Sequence, residues 1–278
     1  MLKKAYLEIG NVCNLACSFC HGTKRPPRIM TEAEFTRAAT EIRPYCEYLY
    51  FHLLGEPLLH PELERFLEIA HELGFKVIIT TNGTLLKTKG RILLDSPALW
   101  KVSISVHSFE ANDPCVSMRE YLDGCLSFCK AASERGKICV LRLWNLGGED
   151  FLNSEILSSI RECYPAQWKQ TYSGYKLAER AFIEWGEKFD WPDMNAECGS
   201  SSVSCYGLRD QIGVLSDGTV VPCCLDAEGD IALGNVFSQS LGEILEGDRA
   251  RELKASFERR SVTEPLCLRC GYIHQKKY

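Results

Sequence analysis

No apolar stretch in this sequence approaches the ~20 residues that a membrane-spanning helix requires, so a helical membrane protein is not expected and no membrane partner is called for. No secretory signal precedes the first β-rich run, which begins within a few residues of Met1. Neither sign of charge dominates: 32 Lys and Arg against 37 Asp and Glu leave a formal net charge of −5. The chain as a whole therefore carries no electrostatic footprint for nucleic acid, and RNA stays open only through one basic loop, Lys24-Arg25-Pro26-Pro27-Arg28. Internal repeats and low-complexity segments are not evident either. The expected location is cytoplasmic.

Cysteine is what the chain has in excess, with fifteen in 278 residues. In a reducing compartment, clustered cysteines more often bind metal or do redox chemistry than form disulfides. The remaining composition, 45% hydrophobic and 25% charged, is that of an ordinary globular chain large enough for one large domain plus a small appendage.

Over the first ~165 residues, short β-rich runs alternate with amphipathic helical stretches. Strands are expected at Ala5–Ile9, Tyr48–Leu53, Lys76–Thr80, Lys101–Val106 and Ile138–Trp144, and helices at Thr31–Arg43, Pro61–Leu73, Cys115–Arg135 and Asp150–Cys163. Thr31 with Glu34 forms a capping box, Pro61 suits a first helical turn, and Gly74 and Gly136 sit where helices should stop. Repeated strand–helix units imply a parallel sheet with right-handed crossovers. The expected fold is α/β, a partial (β/α)6 TIM-like barrel over residues 1–165. Residues 166–197 supply a last barrel strand or linker, with Trp185–Pro192 as the strand position. A small cysteine-bearing module follows at 198–278, containing a hairpin (Gln211–Leu215 and Thr219–Pro222 around Ser216-Asp217-Gly218) and a helix at Leu241–Phe257.

Directly after the first strand come Cys13, Cys17 and Cys20. Three thiolates at this spacing can wrap a cubane [4Fe–4S] cluster and leave its fourth iron open to a small molecule. A closed zinc site would need a further local ligand, for which His21 is the candidate. The spacing Cys13-x3-Cys17-x2-Cys20, with Phe19 before the last cysteine, resembles the radical S-adenosylmethionine (SAM) superfamily. The resemblance implies that the amino and carboxylate groups of SAM chelate the open iron. One electron then cleaves SAM to methionine and a 5′-deoxyadenosyl radical, which abstracts a hydrogen atom from the substrate.

Further residues fall where that family places its SAM contacts. Gly55-Glu56-Pro57, one strand after the cysteine loop, matches the glycine–glutamate motif that receives the SAM ammonium. Ser105 at the end of strand four matches a ribose-binding hydroxyl, with Ser103 as its alternation-equivalent. Arg119 is a candidate partner for the SAM carboxylate or a surface ion pair, and Thr81-Asn82-Gly83 is placed at the same rim. His107 reads either as a catalytic residue or as a hydrogen-bonded structural one. Leu141-Arg142-Leu143-Trp144-Asn145 departs from the family's glycine–isoleucine adenine motif, which leaves the adenine contacts unassigned.

Cys205, then twelve residues to Gly218, four more to Cys223, and a later Cys267-x2-Cys270 resemble the SPASM/twitch extension of radical SAM enzymes. That resemblance implies one auxiliary [4Fe–4S] cluster on these four thiolates, serving as an electron conduit. A zinc ribbon is the alternative for the same thiolates. Cys198 reads as a substitute ligand, a hydrogen-atom donor or an inert thiol. Cys224 is too close to Cys223 to share its cluster. Cys46, Cys115, Cys125, Cys129, Cys139 and Cys163 read as small buried hydrophobes.

The functional expectation is a radical SAM oxidoreductase acting on a small alcohol or sugar or on a peptide, with a flavodoxin or ferredoxin-type electron donor. A peptide epimerase or crosslinking maturase, with Cys198 or Cys224 as hydrogen donor, and an RNA modifier are the enzymatic alternatives. The absence of a leader-recognition domain before the first strand weighs against the maturase. The non-enzymatic alternative is a metal-stabilised binding or redox-sensing protein.

Overall fold

The computed structural model describes residues 2–113, 116–148 and 150–275. Cys115 lies outside the described residues. The chain runs β1 (Lys4–Leu7), α1 (Glu32–Ile42), β2 (Tyr48–Tyr50), α2 (Leu63–Glu72), β3 (Lys76–Thr81), α3 (Leu86–Asp95), β4 (Leu99–Ser105), α4 (Met118–Glu134), β5 (Ile138–Leu146) and α5 (Asn153–Cys163). It continues through β6 (Lys169–Gln170), β7 (Gly174–Lys176), β8 (Ala181–Glu187), β9 (Gln211–Val214), β10 (Thr219–Val221), β11 (Gly234–Asn235), α6 (Leu241–Glu246), α7 (Asp248–Glu258) and α8 (Gly271–Gln275).

All eleven strands form one sheet in the order β11-β10-β9-β1-β2-β3-β4-β5-β8-β7-β6. From β9 to β8 every pairing is parallel, the α/β partial barrel expected from the alternating pattern. An antiparallel hairpin partner closes each flank: β10 and β11 beyond β9, β7 and β6 beyond β8. Helices cover the outer face, as parallel sheets require. Phe35 of α1 stacks on Phe66 of α2 at 4.2 Å between ring centres, both fully buried.

Local sequence chemistry accounts for most of the elements. Thr31 and Glu34 make both bonds of the capping box ahead of α1, and Phe35, Ala38, Ala39 and Ile42 form its buried face. Gly74 and Gly136 take positive φ (75° and 73°) just after α2 and α4.

Several expectations need correction. Pro61 precedes the cap of α2, which begins at Leu63. The sixth barrel strand is Ala181–Glu187, earlier than Trp185–Pro192, because the hairpin β6–β7 consumes the connection before it. The single helix at Leu241–Phe257 is two, broken where Gly247 adopts extended backbone and serves both ends. Helix α3 was not anticipated: it contains Gly90, lacks a side-chain cap, and packs that glycine against Phe128, which a Cβ would meet at 2.8 Å.

Candidate functional site

The cysteine loop and the segment behind it are held at the top of the barrel by hydrogen bonds to six partners. Glu56 N–H donates to Val12 O at 2.9 Å. Asn82 Nδ2 donates to Asn14 Oδ1 at 2.9 Å and approaches Cys13 Sγ at 3.8 Å. Ser18 donates twice to Glu110 on the turn after β4. Trp191 Nε1 donates to Phe19 O at 3.0 Å. Lys24 N–H donates to Glu228, and Arg25 forms a two-pronged pair with the fully buried Glu8.

Gly55 shows why this motif needs glycine. Its φ is +78°, and a Cβ there would collide with the carbonyl oxygen of Gly10. The Glu56 carboxylate, expected to face an ammonium, is instead turned inward. Oε1 accepts from Thr81 Oγ1 (2.8 Å) and Leu58 N (3.0 Å), and Oε2 accepts from Asn82 N (2.7 Å). Burial pushes its carboxyl above the usual range while these three donors pull it back. Glu56 thereby locks Asn82 beneath Cys13. Pro57 is buried and opens the turn Pro57–Leu59.

A cavity of about 520 Å³ opens beneath the loop, lined in part by Cys13, Cys17, Cys20, Phe19, Gly55 and Ser105. His107 lines it too, with Nδ1–H donating to the Arg142 carbonyl at 2.9 Å and its ring 4.4 Å from that of Phe19. Burial holds its imidazole pKa down to about 4, so at neutral pH it is an uncharged prop for Phe19. Ser103 is fully buried and lines neither of the two cavities described here. Arg119 also stands apart: it is exposed on α4 and faces the groove against α3. His21 stacks on Trp191.

A second cavity of about 640 Å³ lies next to the first and is lined in part by Cys205, Cys223, Cys267 and Cys270. Tyr6, Tyr50, Arg142, Trp144, Phe189 and Cys224 belong to the walls of both. The structure thus places the two cysteine sets in neighbouring cavities that share a wall. Cys224 contacts Tyr6, whose hydroxyl also accepts from Lys4 Nζ at 2.9 Å. Cys198 is exposed and lines neither space.

The thiols of each set sense one another. Burial, then the neighbouring Cys20 and Cys13, pushes Cys17 up to about 12. Burial also raises Cys223, with Cys224, Cys205 and Cys267 adding to it, and raises Cys267, with Cys205 and Cys270 adding. Several thiolates crowded into buried walls repel unless cationic metal offsets them. This is the donor chemistry that iron–sulfur clusters use. Among the described residues, no three His, Cys, Asp or Glu side chains converge as they would around a single metal ion. Cys46, Cys125, Cys129 and Cys139 are buried among apolar neighbours, and Cys163 is half-buried.

Sequence reasoning missed Asn82 as a prop for Cys13, together with Glu110, Trp191 and Arg142. For Arg142 a signal existed, since strand alternation puts it on one face with Trp144. The basic loop is also reassigned. Arg25 is bound to Glu8 and the Ala227 carbonyl, and Arg28 to Glu34 and the Ser216 carbonyl. These two arginines fasten the cysteine loop to the C-terminal module rather than offering charge to a ligand.

Comparison with known proteins agrees with this arrangement. Residues 7–158 match the Radical SAM superfamily, and residues 205–271 match SPASM, an iron–sulfur cluster-binding domain. A stretch of 92 residues is 35% identical to the tungsten-containing aldehyde ferredoxin oxidoreductase cofactor-modifying protein of Pyrococcus furiosus. It covers 31% of this chain and only a quarter (25%) of that protein. BtrN in complex with AdoMet and 2-DOIA superposes with a TM-score of 0.59 at 16% identity, covering 97% of this chain and 93% of BtrN. Streptococcus suis SuiB bound to precursor peptide SuiA gives 0.63 at 17% identity, covering 98% and 70%. The protein anSMEcpe with bound AdoMet and Cp18Cys peptide gives 0.63 at 16%, covering 98% and 87%. At such identities the likeness speaks for the fold. The superfamily's cofactors are a [4Fe–4S] cluster and SAM, and the second domain adds auxiliary iron–sulfur binding. With more than half of its length inside the first match, the chain belongs to the radical SAM superfamily and carries a SPASM domain behind its barrel.

Proposed function

We propose that this chain is a radical SAM enzyme in which Cys13, Cys17 and Cys20 hold the SAM-binding [4Fe–4S] cluster and Cys205, Cys223, Cys267 and Cys270 hold one auxiliary [4Fe–4S] cluster. When bound, the first cluster and SAM supply a 5′-deoxyadenosyl radical, and the auxiliary cluster supplies a site for the electron that a net oxidation releases. The observation that carries this reading is the shared wall: Tyr6, Tyr50, Arg142, Trp144 and Cys224 border both cysteine-lined cavities. A substrate in that space lies between the two thiol sets, as removal of a hydrogen atom followed by removal of an electron requires.

The chain's own residues position and enclose. Gly55 and Glu56 fix the loop that presents Cys13, Ser105 offers a hydroxyl to the cavity for the ribose, and Phe19 with Trp191 shuts the loop side against water. A flavodoxin or ferredoxin-type protein is the proposed electron donor. Dithionite and SAM added to anaerobically reconstituted protein should yield 5′-deoxyadenosine. Product no higher than in a Cys17→Ala control would sink the reading and leave the metal-stabilised binding protein.

A second outcome, epimerisation of a peptide, draws support from Cys224. This thiol borders both cavities beside Tyr6 and is placed to return a hydrogen atom, whereas the exposed Cys198 is not. Reactions in D2O separate the two. Epimerisation leaves deuterium on substrate carbon, abolished in Cys224→Ser, and oxidation leaves none.

A further inference from the structure

Among the buried polar atoms that lack any hydrogen-bond partner, three belong to residues lining the cavity of Cys13, Cys17 and Cys20, two of which, Arg142 and Trp144, also line the second cavity: Arg142 Nε, His52 Nδ1 and Trp144 Nε1. Arg142 Nε and Trp144 Nε1 are donors by chemistry alone, and the role of His52 Nδ1 follows the imidazole tautomer. Arg142 Nη1 donates to Thr80 Oγ1 at 3.3 Å, and that hydroxyl meets His52 Nε2 at 3.2 Å. The hydroxyl has one proton and two lone pairs, so it pairs with either tautomer of the neutral imidazole, and His52 Nδ1 faces the cavity as donor or acceptor accordingly. Where chemistry fixes the role the imbalance is one-sided: two donors, Arg142 Nε and Trp144 Nε1, stand without an acceptor. Buried donors are nearly always satisfied, so the pair asks for an explanation.

Charge repeats the imbalance. The charged residues lining the cavity of Cys13, Cys17 and Cys20, among the described residues, are Arg142 and Lys188, with no carboxylate. Arg142 has one acidic neighbour, Glu184, at 3.9 Å from Nε, which is ion-pair range and too long for a hydrogen bond. The same carboxylate also serves Lys101 at 3.5 Å. The guanidinium carbon sits 4.2 Å from the Trp144 ring centre, within cation–π range, so the group is held in place before any ligand arrives. Tyr6 and Tyr50 complete an aromatic surround.

We infer that the wall shared by the two cavities is the substrate-anchoring site, and that the substrate carries an anionic oxygen group, a carboxylate or phosphate, received by Arg142 and Trp144. This rests on the radical SAM reading above and names the substrate class for it. A guanidinium reads such a group through paired N–H donors. Anchored there, the rest of the molecule lies between the two cysteine sets.

The test is calorimetric titration of the cluster-loaded protein, saturated with SAM, using phenylacetate, phenyl phosphate and, as cationic control, phenethylammonium. The anionic probes should bind and the ammonium should not. Arg142→Gln should weaken anion binding at least tenfold, and Arg142→Lys should restore part of it. The better of the two anions identifies carboxylate or phosphate as the group received. Equal binding of acid and amine, or undiminished anion binding by Arg142→Gln, would overturn the inference. So would a loss of SAM affinity in Arg142→Gln that parallels the loss of anion binding, because the guanidinium would then belong to the cofactor carboxylate. Wild-type protein that forms 5′-deoxyadenosine yet ignores both anions overturns this inference alone, whereas failure to form it strikes at the parent reading.

Discussion

Arg25 and Glu8 meet end to end, with both terminal guanidinium nitrogens on both carboxylate oxygens at 2.6 and 2.9 Å, and Glu8 fully shielded from solvent. Glu8 also accepts from Ser216 N–H at 3.0 Å. One ion pair therefore joins the end of β1, the segment behind the cysteine loop and the β9–β10 turn. Removing one member of a buried pair strands the other charge. Arg25→Ala should cost about 3–5 kcal/mol in urea unfolding and lower the iron retained on purification. A loss below about 1 kcal/mol would place the pair with ordinary surface ion pairs.

Glu56 offers a sharper test of positioning. Glu56→Gln keeps the shape but exchanges an acceptor for a donor facing Asn82 N–H or Leu58 N–H. A cost of about 1–3 kcal/mol is expected from the broken buried bond, with iron content falling as Asn82 releases Cys13. If Glu56 instead receives the SAM ammonium directly, stability and iron content would hold while SAM affinity alone falls.

Acid sensitivity should report His52. Burial, with Arg142 and Lys4 adding repulsion, lowers its folded pKa to about 3. The unfolded imidazole takes its proton near ~6.5. Below that pH the unfolded state binds the extra proton, so stability present above ~6.5 is lost as pH falls toward 3. At one unit below the unfolded pKa the loss is about 1.4 kcal/mol. Urea midpoints compared at pH 7.5 and 5.5 should show wild type losing more than His52→Gln by about that amount; equal losses would remove His52 as the source.

Arg119 stands outside both cavities on the exposed face of α4. Arg119→Ala should leave the KM for SAM within about twofold, since exposed pairs contribute little. A tenfold rise would return it to the cofactor.

The barrel was legible because its strands are short apolar, β-rich runs and its helices carry caps and stop glycines, visible in residues such as Thr31, Glu34, Gly74 and Gly136. The two cysteine sets were picked out through the resemblance of their spacing to radical SAM and SPASM/twitch motifs, which spacing without the resemblance leaves open to zinc. What could not be read was direction. Glu56 has the composition of an ammonium receptor, and only the fold turns its oxygens toward Thr81 and Asn82. Arg25 and Arg28 look like a free basic patch until Glu8, Glu34 and two distant carbonyls claim them. Helix α3 escaped because Gly90, a poor helix former, is required there by Phe128 on a neighbouring helix.

Four residues of β1 register against β9, from Lys4 beside Gln211 to Leu7 beside Val214. Strand β1 thus finds one of its two sheet neighbours only after some two hundred further residues have left the ribosome. Until then that edge of the nascent barrel presents unpaired backbone donors and acceptors, and contacts so distant in sequence form slowly. Assembly of the interior is therefore gated by arrival of the C-terminal module, and cluster insertion into a half-made barrel would meet a site still open on one side.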